Sequence, residues 1–310
     1  MAITPRIRTA VVPAAGQGTR MLPATKVVPK ELLPILERPA LQFIVEEALG
    51  AGVNHLVMVT SRAKPAIEEY FSSSAQVEKA LDVQGRSALA DELRRIGRDV
   101  RVSFVYQDEP RGLGHAVGCA RSAVGDEPFF VLLPDELMED SSLLISMADV
   151  HAETSTGVVA LKSMERHELS RYGIVSLVGA RQSRNGAVSV PIADIVEKPN
   201  TDEAPSDLAI IGRYVLTPDI FDVLDALPPS ASGEIQLTDA LNVQATRQPL
   251  FGLISEIGRW DVGNPRGWVE AVIAVGFNHP DFGEQLRDWI RNDVAAGTQT
   301  LKSPGQDRRR

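Results

Sequence analysis

The chain has 310 residues, of which 44% are hydrophobic and 24% are charged, and its formal net charge is −9. This length is enough for one large α/β domain or two small ones with a sizeable core. An acidic chain does not offer the broad basic surface that nucleic acid requires, so we expect no nucleic-acid partner, whereas a small anionic ligand in a local basic pocket stays open.

In the first half of the chain, apolar runs alternate with helical patterns. The predicted strands span 9–13, 55–59, 100–106 and 129–133. The predicted helices span 40–51, 65–71 and 113–124. Such alternation is typical of a parallel sheet with helices on both faces. The polar segment 72–97 has a helical composition, and we predict that it is an insertion.

Beyond Asp135 the pattern changes, because strand-like runs follow one another with few helices between them. The predicted strands span 157–161, 172–177, 188–197 and 208–216. Helical patterns return at 218–226, 235–244, 265–277 and 282–295. We therefore predict mixed or antiparallel strands added to the first sheet. The result is an α/β fold with a Rossmann-like, mixed but mostly parallel central sheet flanked by helices.

The chain contains no Pro/Gly/Ser-rich linker long enough to separate independent domains. We predict one domain over residues 1–296 and a disordered polar tail over 297–310. No apolar stretch has the length of a signal or membrane-spanning segment, so we expect no membrane association and a cytoplasmic location. The single cysteine, Cys119, excludes an intrachain disulfide and fits core packing in a reducing compartment.

A glycine-rich turn, "AAGQGTR", follows the first predicted strand. A Walker-type loop needs Lys and Ser/Thr after its last glycine, but Thr19 and Arg20 follow Gly18. A dinucleotide-binding loop needs a third glycine where this chain has Met21. Three prolines in the next stretch, "MLPATKVVPKELLP", prevent a long helix from following at once. We therefore predict an extended loop that wraps over a ligand.

The residues of this loop suggest the ligand. Gly16 and Gly18 let backbone amides turn inward and approach it closely. Arg20 can bind phosphate oxygens with its planar guanidinium, and Lys26 and Lys30 follow on the same segment. Open amides with two or three cations suit a triphosphate. A structural turn with solvated charges is the alternative.

Seven further blocks follow this loop. They are "QDEPRGLGHAV" (107–117), "LLPDEL" (132–137), "YGIV" (172–175), "VEKP" (196–199), "LAIIGRYVL" (208–216), "GEIQLTDAL" (233–241) and "WDVGNPRGW" (260–268). Together with the loop, and in this order, they resemble the sugar-1-phosphate nucleotidylyltransferases. The blocks "GLGHAV", "GRYVL" and "GEIQLTDA" point to the bacterial branch that transfers uridylyl groups to glucose 1-phosphate. The resemblance extends from about residue 9 to about residue 290.

This resemblance implies a fold of the nucleotide-diphospho-sugar transferase type. Residues 1–135 would form a nucleotide-binding half, and residues 136–296 a sugar-binding and C-terminal helical half. The implied reaction converts UTP and glucose 1-phosphate into UDP-glucose and pyrophosphate. It proceeds by in-line attack on the α-phosphorus with no covalent enzyme intermediate. The attacking phosphate is largely dianionic at neutral pH, so no general base is needed. The family also implies Mg²⁺ as cofactor and a homodimer or homotetramer, with the helix 282–295 as a candidate interface.

The resemblance assigns the first blocks to the nucleotide. The implied nucleotide-binding positions are Ala14, Ala15, Gly16, Gly18, Thr19, Gln107 and Gly112. Gln107 ends an apolar strand, and open α/β sheets bind ligands at the carboxyl ends of their strands. Its amide can pair with uracil N3–H and a neighbouring carbonyl, and a polar residue satisfied by the protein is the alternative. Arg20 and Lys30 would act in catalysis by neutralising the departing β- and γ-phosphates.

Two aspartates are the implied metal ligands. Asp135 follows an apolar strand, and Asp261 lies far along the chain in "RWDVGNP". Carboxylates from two distant segments can share one Mg²⁺ that keeps several waters. For Asp261 a turn or helix-capping role is the alternative. Glu136 follows Asp135, and alternation along the chain predicts that it points away from Asp135 into solvent.

The sugar end is assigned to the later blocks. The implied sugar-binding positions are Gly173, Glu197, Lys198 and Gly212, and Lys198 would also hold the attacking phosphate as a third catalytic position. Neighbours in an extended segment point to opposite faces, so Glu197 and Lys198 can serve one ligand only if the chain bends before Pro199. A solvated strand end is the alternative. We expect Tyr172 and Arg213 to help shape the sugar pocket.

Other functions stay open at this point. A closely related transferase would use dTTP or another sugar phosphate such as galactose 1-phosphate. A dinucleotide oxidoreductase is a different class, against which the missing third glycine argues. A non-catalytic homologue would have lost the aspartates or lysines that this chain carries. The implied reaction requires no acid or base from His115, and we assign no chemistry to Thr238.

Overall fold

The computed structural model of the chain describes residues 7–184 and 187–294. The strands are β1 Thr9–Pro13, β2 Pro34–Ile35, β3 Arg38–Pro39, β4 His55–Thr60, β5 Arg101–Tyr106, β6 Phe129–Leu132, β7 Glu136–Met138, β8 Val158–Ser163, β9 Gly173–Leu177, β10 Gln182–Arg184, β11 Ala187–Glu197, β12 Leu208–Leu216, β13 Leu250–Ile254 and β14 Arg259–Asp261. The α-helices are α1 Ala40–Gly50, α2 Pro65–Tyr70, α3 Ala75–Val83, α4 Ser87–Arg95, α5 Leu113–Cys119, α6 Arg121–Val124, α7 Ser142–Thr154, α8 Ile220–Ala226, α9 Leu237–Ala245, α10 Pro265–Phe277 and α11 Gly283–Trp289. Short 3-10 turns lie at Thr19–Met21, Ala24–Lys26, Lys30–Leu32 and Arg166–Arg171, and a π-helical turn lies at Ile290–Val294.

One large sheet forms the centre of the molecule, with the strand order β10-β11-β13-β8-β12-β6-β1-β4-β5, and β9 pairs with both β11 and β12. The neighbours β5, β4, β1 and β6 are parallel, as are β8 and β13. The remaining pairings in this part of the chain, around β11 and β12, are antiparallel. The predicted mixed sheet is confirmed.

The predicted predominance of parallel pairing is not confirmed. Parallel neighbours need a long crossover, and α1 provides one between β1 and β4. Between β8 and β12 the described chain contains strands and one 3-10 turn but no α-helix. Short connections of this kind join antiparallel strands, which explains the change at β12 and β11.

The core lies on both faces of this sheet. Along β1, Ala10 and Val12 belong to the cluster that contains α1 residues such as Leu41, whereas Val11 belongs to the cluster that contains α5 residues such as Val117. This alternation is the expected period of two for a strand buried on both sides. The central strands are therefore covered by helices on each face, as the sequence predicts.

The predicted helix 113–124 differs from the structure, because it is divided at Ala120 into α5 and α6. The segment 72–97 forms α3 and α4, in agreement with its helical composition. The predicted tail 297–310, and the end of the predicted helix 282–295, lie outside the described residues. Within the described part of the chain, no helix combines the length and apolarity needed to cross a bilayer.

A separate two-stranded sheet matters for the site. β7 pairs antiparallel with β14, and Asp261 lies opposite Glu136 in its register. Since Glu136 directly follows Asp135, this pairing brings the blocks "LLPDEL" and "WDVGNP" together from distant parts of the chain.

Candidate active site

A cleft of about 670 Å³ opens beyond the carboxyl ends of β1, β5 and β6 and is lined by both halves of the chain. Thirteen of the fifteen predicted site residues line it: Ala15, Gly16, Gly18, Thr19, Arg20, Gln107, Gly112, Asp135, Gly173, Glu197, Lys198, Gly212 and Asp261. The two that do not line it are Ala14 and Lys30. The predicted positions therefore come together around one cavity, although they span almost the whole chain.

The glycine loop is extended, as its prolines predict, and contains only short 3-10 turns. Gly18 has a φ of +65°, a conformation that favours glycine, and its carbonyl accepts a hydrogen bond from Thr25 Oγ1 at 2.7 Å. No heavy atom lies within 4 Å of the position that a Cβ of Gly16 would take. The loop is thus folded against its own residues at Gly18 and open above Gly16.

Ala14 lies beneath this loop and does not face the cleft. Its amide donates to Val59 O at 2.7 Å, and its carbonyl accepts from Lys64 Nζ at 2.8 Å. Lys64 also pairs with Glu31 at 3.1 Å; the Glu31 side chain is fully buried and that of Lys64 is 13% exposed. Ala14 is therefore an anchor of the loop rather than a wall of the cleft. Local sequence carries no signal for Lys64, because its partners lie on distant segments.

Burial dominates the electrostatics of this anchor. It raises the pKa of Glu31 above the usual value in spite of the attraction of Lys64 and Lys30. Burial likewise lowers the pKa of Lys64, although Glu31 opposes this shift. The pKa of each partner is shifted in the direction that favours its neutral form, because removing charges from water is costly.

The two predicted phosphate-binding cations are placed differently. Arg20 is exposed at the cleft and forms no ion pair with any residue that the structure describes. Lys30 donates to Asp135 Oδ2 at 2.5 Å, and both side chains are mostly buried. Burial opposes ionisation of Asp135, but the charge and hydrogen bond of Lys30 outweigh it, so the pKa of Asp135 lies below its usual value. Asp135 is therefore ionised at neutral pH.

Asp135 and Asp261 meet as the sequence predicts. The position that a Cβ of Gly263 would take lies 2.8 Å from Asp135 Oδ2 and 3.2 Å from Asp261 Oδ1, so these oxygens are no more than about 6 Å apart. The amide of Val262 donates to Asp135 O at 2.8 Å, which joins the two segments. Asp261 Oδ2 accepts from Arg171 Nη2 at 2.5 Å. The helix cap of α10 is Asn264 and not Asp261.

Glu136 does not point into solvent. It is buried and bonds through both carboxylate oxygens to Arg259, at 2.6 Å each. Arg259 also donates to the hydroxyl of Tyr172 at 2.9 Å. Simple alternation fails because the chain turns after Asp135 and Glu136 begins β7, which packs beside β14 and its Arg259. The prediction was wrong, and Glu136 instead secures the β7–β14 pair that carries the aspartates.

The sugar end contains the bend that the sequence requires. Lys198 has a φ of +46°, and its amide donates to Tyr172 O at 3.0 Å. Lys198 Nζ lies 3.1 Å from Glu197 Oε1, and both side chains line the cleft. A Cβ on Gly173 would lie only 3.2 Å from Glu197 Oε2, so glycine leaves the space that Glu197 occupies.

Gly212 and Arg213 shape the back of the site. Gly212 has a φ of +76° where the register of β12 shifts, and a Cβ there would lie 2.9 Å from Glu136 Cγ. Tyr172 lines the cleft as expected, but Arg213 does not, because it is buried behind the site and paired with Glu47. Arg213 was expected to help shape the sugar pocket, and it does so only from behind, since its guanidinium binds Glu47 and backbone carbonyls and does not line the cleft.

Sequence reasoning missed several residues of the cleft. Arg171 is one, and Glu234, Gln236 and Thr238 are others. Thr238 Oγ1 is buried and has no hydrogen-bond partner among the described residues. The block "GEIQLTDAL" was the available signal for the last three, but local sequence does not show which of its side chains face a ligand.

Residues 9–275 match the family model described as Nucleotidyl transferase. The chain is 40% identical to the UTP–glucose-1-phosphate uridylyltransferase YngB of Bacillus subtilis over 297 residues, which is 96% of this chain and 98% of that protein. The chain belongs to the nucleotidyl transferase family, among the UTP–glucose-1-phosphate uridylyltransferases. This membership confirms the resemblance carried by the eight sequence blocks and removes the dinucleotide oxidoreductase from the alternatives.

Solved structures of uridylyltransferases in this family have the same fold. The UTP-bound UGPase from Acinetobacter baumannii is 36% identical, with a TM-score of 0.84 over 92% of this chain and 99% of that one. A UDP-glucose pyrophosphorylase complexed with UDP-glucose is 38% identical, with a TM-score of 0.78 over 88% of this chain and 100% of that one. The similarity therefore covers both halves of the cleft.

Proposed function

We propose that this chain catalyses uridylyl transfer from UTP to glucose 1-phosphate, giving UDP-glucose and pyrophosphate. The observation that carries the proposal is the single cleft in which the glycine loop with Arg20 meets the Glu197–Lys198 bend. One of the solved relatives is UTP-bound and another is complexed with UDP-glucose, which are a substrate and a product of this reaction.

The glycine loop would hold the triphosphate. The open space at Gly16 leaves room for phosphate oxygens beside the backbone. Arg20 has no protein counter-ion in the described chain, so its guanidinium is available to the β- and γ-phosphates that leave. Lys30 adds positive charge nearby while keeping Asp135 ionised. Gln107 and Gly112 would hold the uracil.

The Glu197–Lys198 bend would hold the sugar phosphate. Lys198 brings an ammonium group toward the attacking phosphate, and Glu197 offers acceptors to the sugar hydroxyls. Gly173 and Gly212 would present their backbones to the sugar, since both line the cleft. An extended, unbent segment would direct the two side chains to opposite faces.

Asp135 and Asp261 fit a magnesium site. Both carboxylates flank the cradle at Gly263, and Mg²⁺ commonly uses one or two carboxylates together with waters and substrate phosphates. No cluster of three or more His, Cys, Asp or Glu side chains suited to a metal occurs in residues 7–184 and 187–294, so substrate oxygens or water would complete the shell. When bound, the ion would neutralise charge on the phosphates.

The chemistry then depends on positioning and charge. A phosphate oxygen of glucose 1-phosphate forms a bond to the α-phosphorus, and the bond from the α-phosphorus to the bridging oxygen breaks, releasing pyrophosphate. The nucleophile is already largely dianionic, so no side chain needs to remove a proton. Lys198 and Arg20 would hold the attacking and departing groups in line and offset the repulsion between the two anions.

Pyrophosphate release tests the proposal. We expect release from UTP only when glucose 1-phosphate and Mg²⁺ are both present, and no release in EDTA. Asp135→Asn and Lys198→Ala should each lower kcat/KM by at least about a hundredfold, because they remove charges that act on the reacting phosphates. Lys79→Ala, which changes an exposed lysine on α3, is the matched control. Near-normal turnover of Asp135→Asn at saturating substrate would refute its assignment.

The same assay separates the related transferases. Parallel measurements with dTTP, and with galactose 1-phosphate, show whether another nucleotide or sugar is preferred. No release with any pair of substrates would leave a non-catalytic homologue as the better interpretation.

We also propose a cytoplasmic homodimer or homotetramer. Phe282 and Trp289, at the two ends of α11, are partly exposed and could form a shared apolar surface. Light scattering on the purified chain measures the assembly. A Trp289→Glu variant that stays fully assembled would exclude α11 as the interface.

A further inference from the structure

The Gln107 side chain has a defined amide orientation. Gln107 is only 7% exposed, and one atom of its amide lies 3.0 Å from Gly112 O. A carbonyl oxygen accepts hydrogen bonds and cannot donate them, so the amide atom that faces it must be Nε2. In the folded chain this contact identifies Nε2 as the amide atom on that side.

His115 takes the second hydrogen of the same nitrogen. Its Nδ1 lies 2.9 Å from Gln107 Nε2, and it can accept there only in the neutral ring with the proton on Nε2. Its own Nε2 lies 3.9 Å from Cys119 Sγ, a weak acceptor. Burial, and then the charge of Arg111, lower the pKa of His115, while Glu109 opposes this shift. His115 is therefore neutral at pH 7.

Both N–H groups of the Gln107 amide are thus engaged by the protein. Its Oε1 has no hydrogen-bond partner among residues 7–184 and 187–294 and is the group left for a ligand. Uracil and thymine present an N3–H donor, whereas N3 of cytosine is an acceptor. A carbonyl oxygen in this place accepts from the first two bases and repels the third.

We propose that His115 is a specificity-determining positioning residue, which fixes the Gln107 amide so that its Oε1 faces the base and bases lacking N3–H are rejected. The proposal rests on the function proposed above and extends it from the reaction to base selection. His115 acts through Gln107, since it does not line the cleft whereas Gln107 does.

Gly112 alone does not produce this arrangement. Its carbonyl accepts one N–H, and the other would be left without a partner in a nearly buried place. An amide that rotates to find a new partner for this N–H turns its NH₂ toward the base, where it can donate to an acceptor at N3. The position of Gly112 itself is fixed, because it has a φ of +94° and a Cβ there would lie 2.7 Å from Ile235 O. What remains free is the rotation of the Gln107 amide, and the hydrogen bond to His115 prevents it.

The experiment compares kcat/KM for UTP, dTTP and CTP, with glucose 1-phosphate saturating. His115→Leu removes the acceptor at similar bulk, and we expect the UTP-to-CTP ratio to fall about tenfold, because one buried N–H loses its partner. The UTP-to-dTTP ratio should stay unchanged, since both bases carry N3–H. His115→Asn restores an acceptor at the place of Nδ1 and should recover most of the ratio. Ser122→Ala, which changes an exposed residue on the neighbouring helix α6, is the control and should match wild type.

Two results would overturn the proposal. One is an unchanged UTP-to-CTP ratio in His115→Leu, including a uniform loss with all three nucleotides, which would indicate a purely structural role. The other is an Asn variant that behaves like the Leu variant. Thermal unfolding by circular dichroism identifies a variant that fails to fold. If His115→Leu fails to fold, the UTP-to-CTP ratios of His115→Gln and His115→Asn are compared with that of the wild type instead.

Failure of the proposed function would look different. If the wild-type chain released no pyrophosphate from UTP and glucose 1-phosphate, the reaction would be wrong, and the base preference would be measured by calorimetric binding of UTP and CTP. A wild-type preference for UTP that persists in His115→Leu would refute the positioning role in that case as well.

Discussion

Replacing Glu47 with glutamine should destabilise the fold by about 3 kcal/mol, because the Arg213 guanidinium would stay charged and buried without its carboxylate. The Arg213 side chain is 0% exposed and that of Glu47 is 4% exposed. Arg213 Nε donates to Glu47 Oε1 at 2.9 Å, and Nη2 donates to Oε2 at 2.7 Å. The pair joins α1 to β12 directly behind the site.

The magnitude follows from the hydrogen bonds that Arg213 keeps in the variant. Removing one partner of a buried ion pair costs about 3–5 kcal/mol. Arg213 keeps its bonds to the carbonyls of Leu133 and Glu136, at 3.0 and 2.5 Å, so we expect the lower end of that range. Such a loss is a large fraction of a typical folding free energy of about 5–15 kcal/mol. These carbonyls lie on either side of Asp135, so turnover should fall as well.

Urea unfolding, followed by circular dichroism, measures the change as a shifted midpoint at constant m-value. The control is Glu270→Gln on α10, which breaks a 2.8 Å pair with Arg266 whose side chains are 50% and 87% exposed. An exposed pair of this kind contributes little to stability, because water and salt screen its charges. Equal stability of the Glu47 and Glu270 variants would refute the reasoning. So would a Glu47→Leu, Arg213→Met double variant that is no more stable than Glu47→Gln, since removing both charges should relieve the cost.

Further outcomes follow from the geometry of the cleft. Gly173→Ala places a Cβ 3.2 Å from Glu197 Oε2 and should raise KM for glucose 1-phosphate several-fold, with KM for UTP unchanged; an equal effect on both substrates in steady-state assays would contradict this. Arg171→Ala removes the cation 2.5 Å from Asp261, so Mn²⁺ should bind the free protein more tightly in paramagnetic resonance titrations, and an unaltered affinity would argue against a metal role for Asp261. The pKa of His115 lies below its usual value of 6.5, so its ring is neutral at higher pH. The wild-type UTP-to-CTP ratio should therefore decline only as pH falls below about 6.5, where protonation turns Nδ1 into a donor. His115→Asn should show no such decline between about pH 8 and about pH 5.5.

Local sequence was sufficient to predict the structure of segments whose conformation depends on their own residues. The predicted strand 9–13 and helix 265–277 agree with β1 and α10 to the residue, because each has a strong apolar period bounded by turn or proline signals. The extended glycine loop was predictable for the same reason, since its prolines act on their own neighbours. Fifteen site positions followed from ordered blocks rather than from local physics, and thirteen of them line one cleft.

Contacts between distant segments were not predictable. Glu136 was misplaced because its direction depends on Arg259, which lies 123 positions away. Lys64 was missed because the carbonyl that it binds belongs to Ala14, 50 positions away. In both cases the side chain has an ordinary local pattern, and only its partner decides whether burial is tolerable.

The sequence by itself determined the class of this protein, its central strands and the composition of its binding loop, since these depend on residue type and spacing along one segment. Tertiary structure decided which atoms remain available for ligands. Gln107 shows the difference, because its sequence permits one acceptor and two donors, whereas the folded chain engages both donors with Gly112 and His115 and leaves the acceptor. Hydrogen-bonding capacity is a property of the residue, but what is left of it after folding depends on neighbours that only the fold brings within 3 Å.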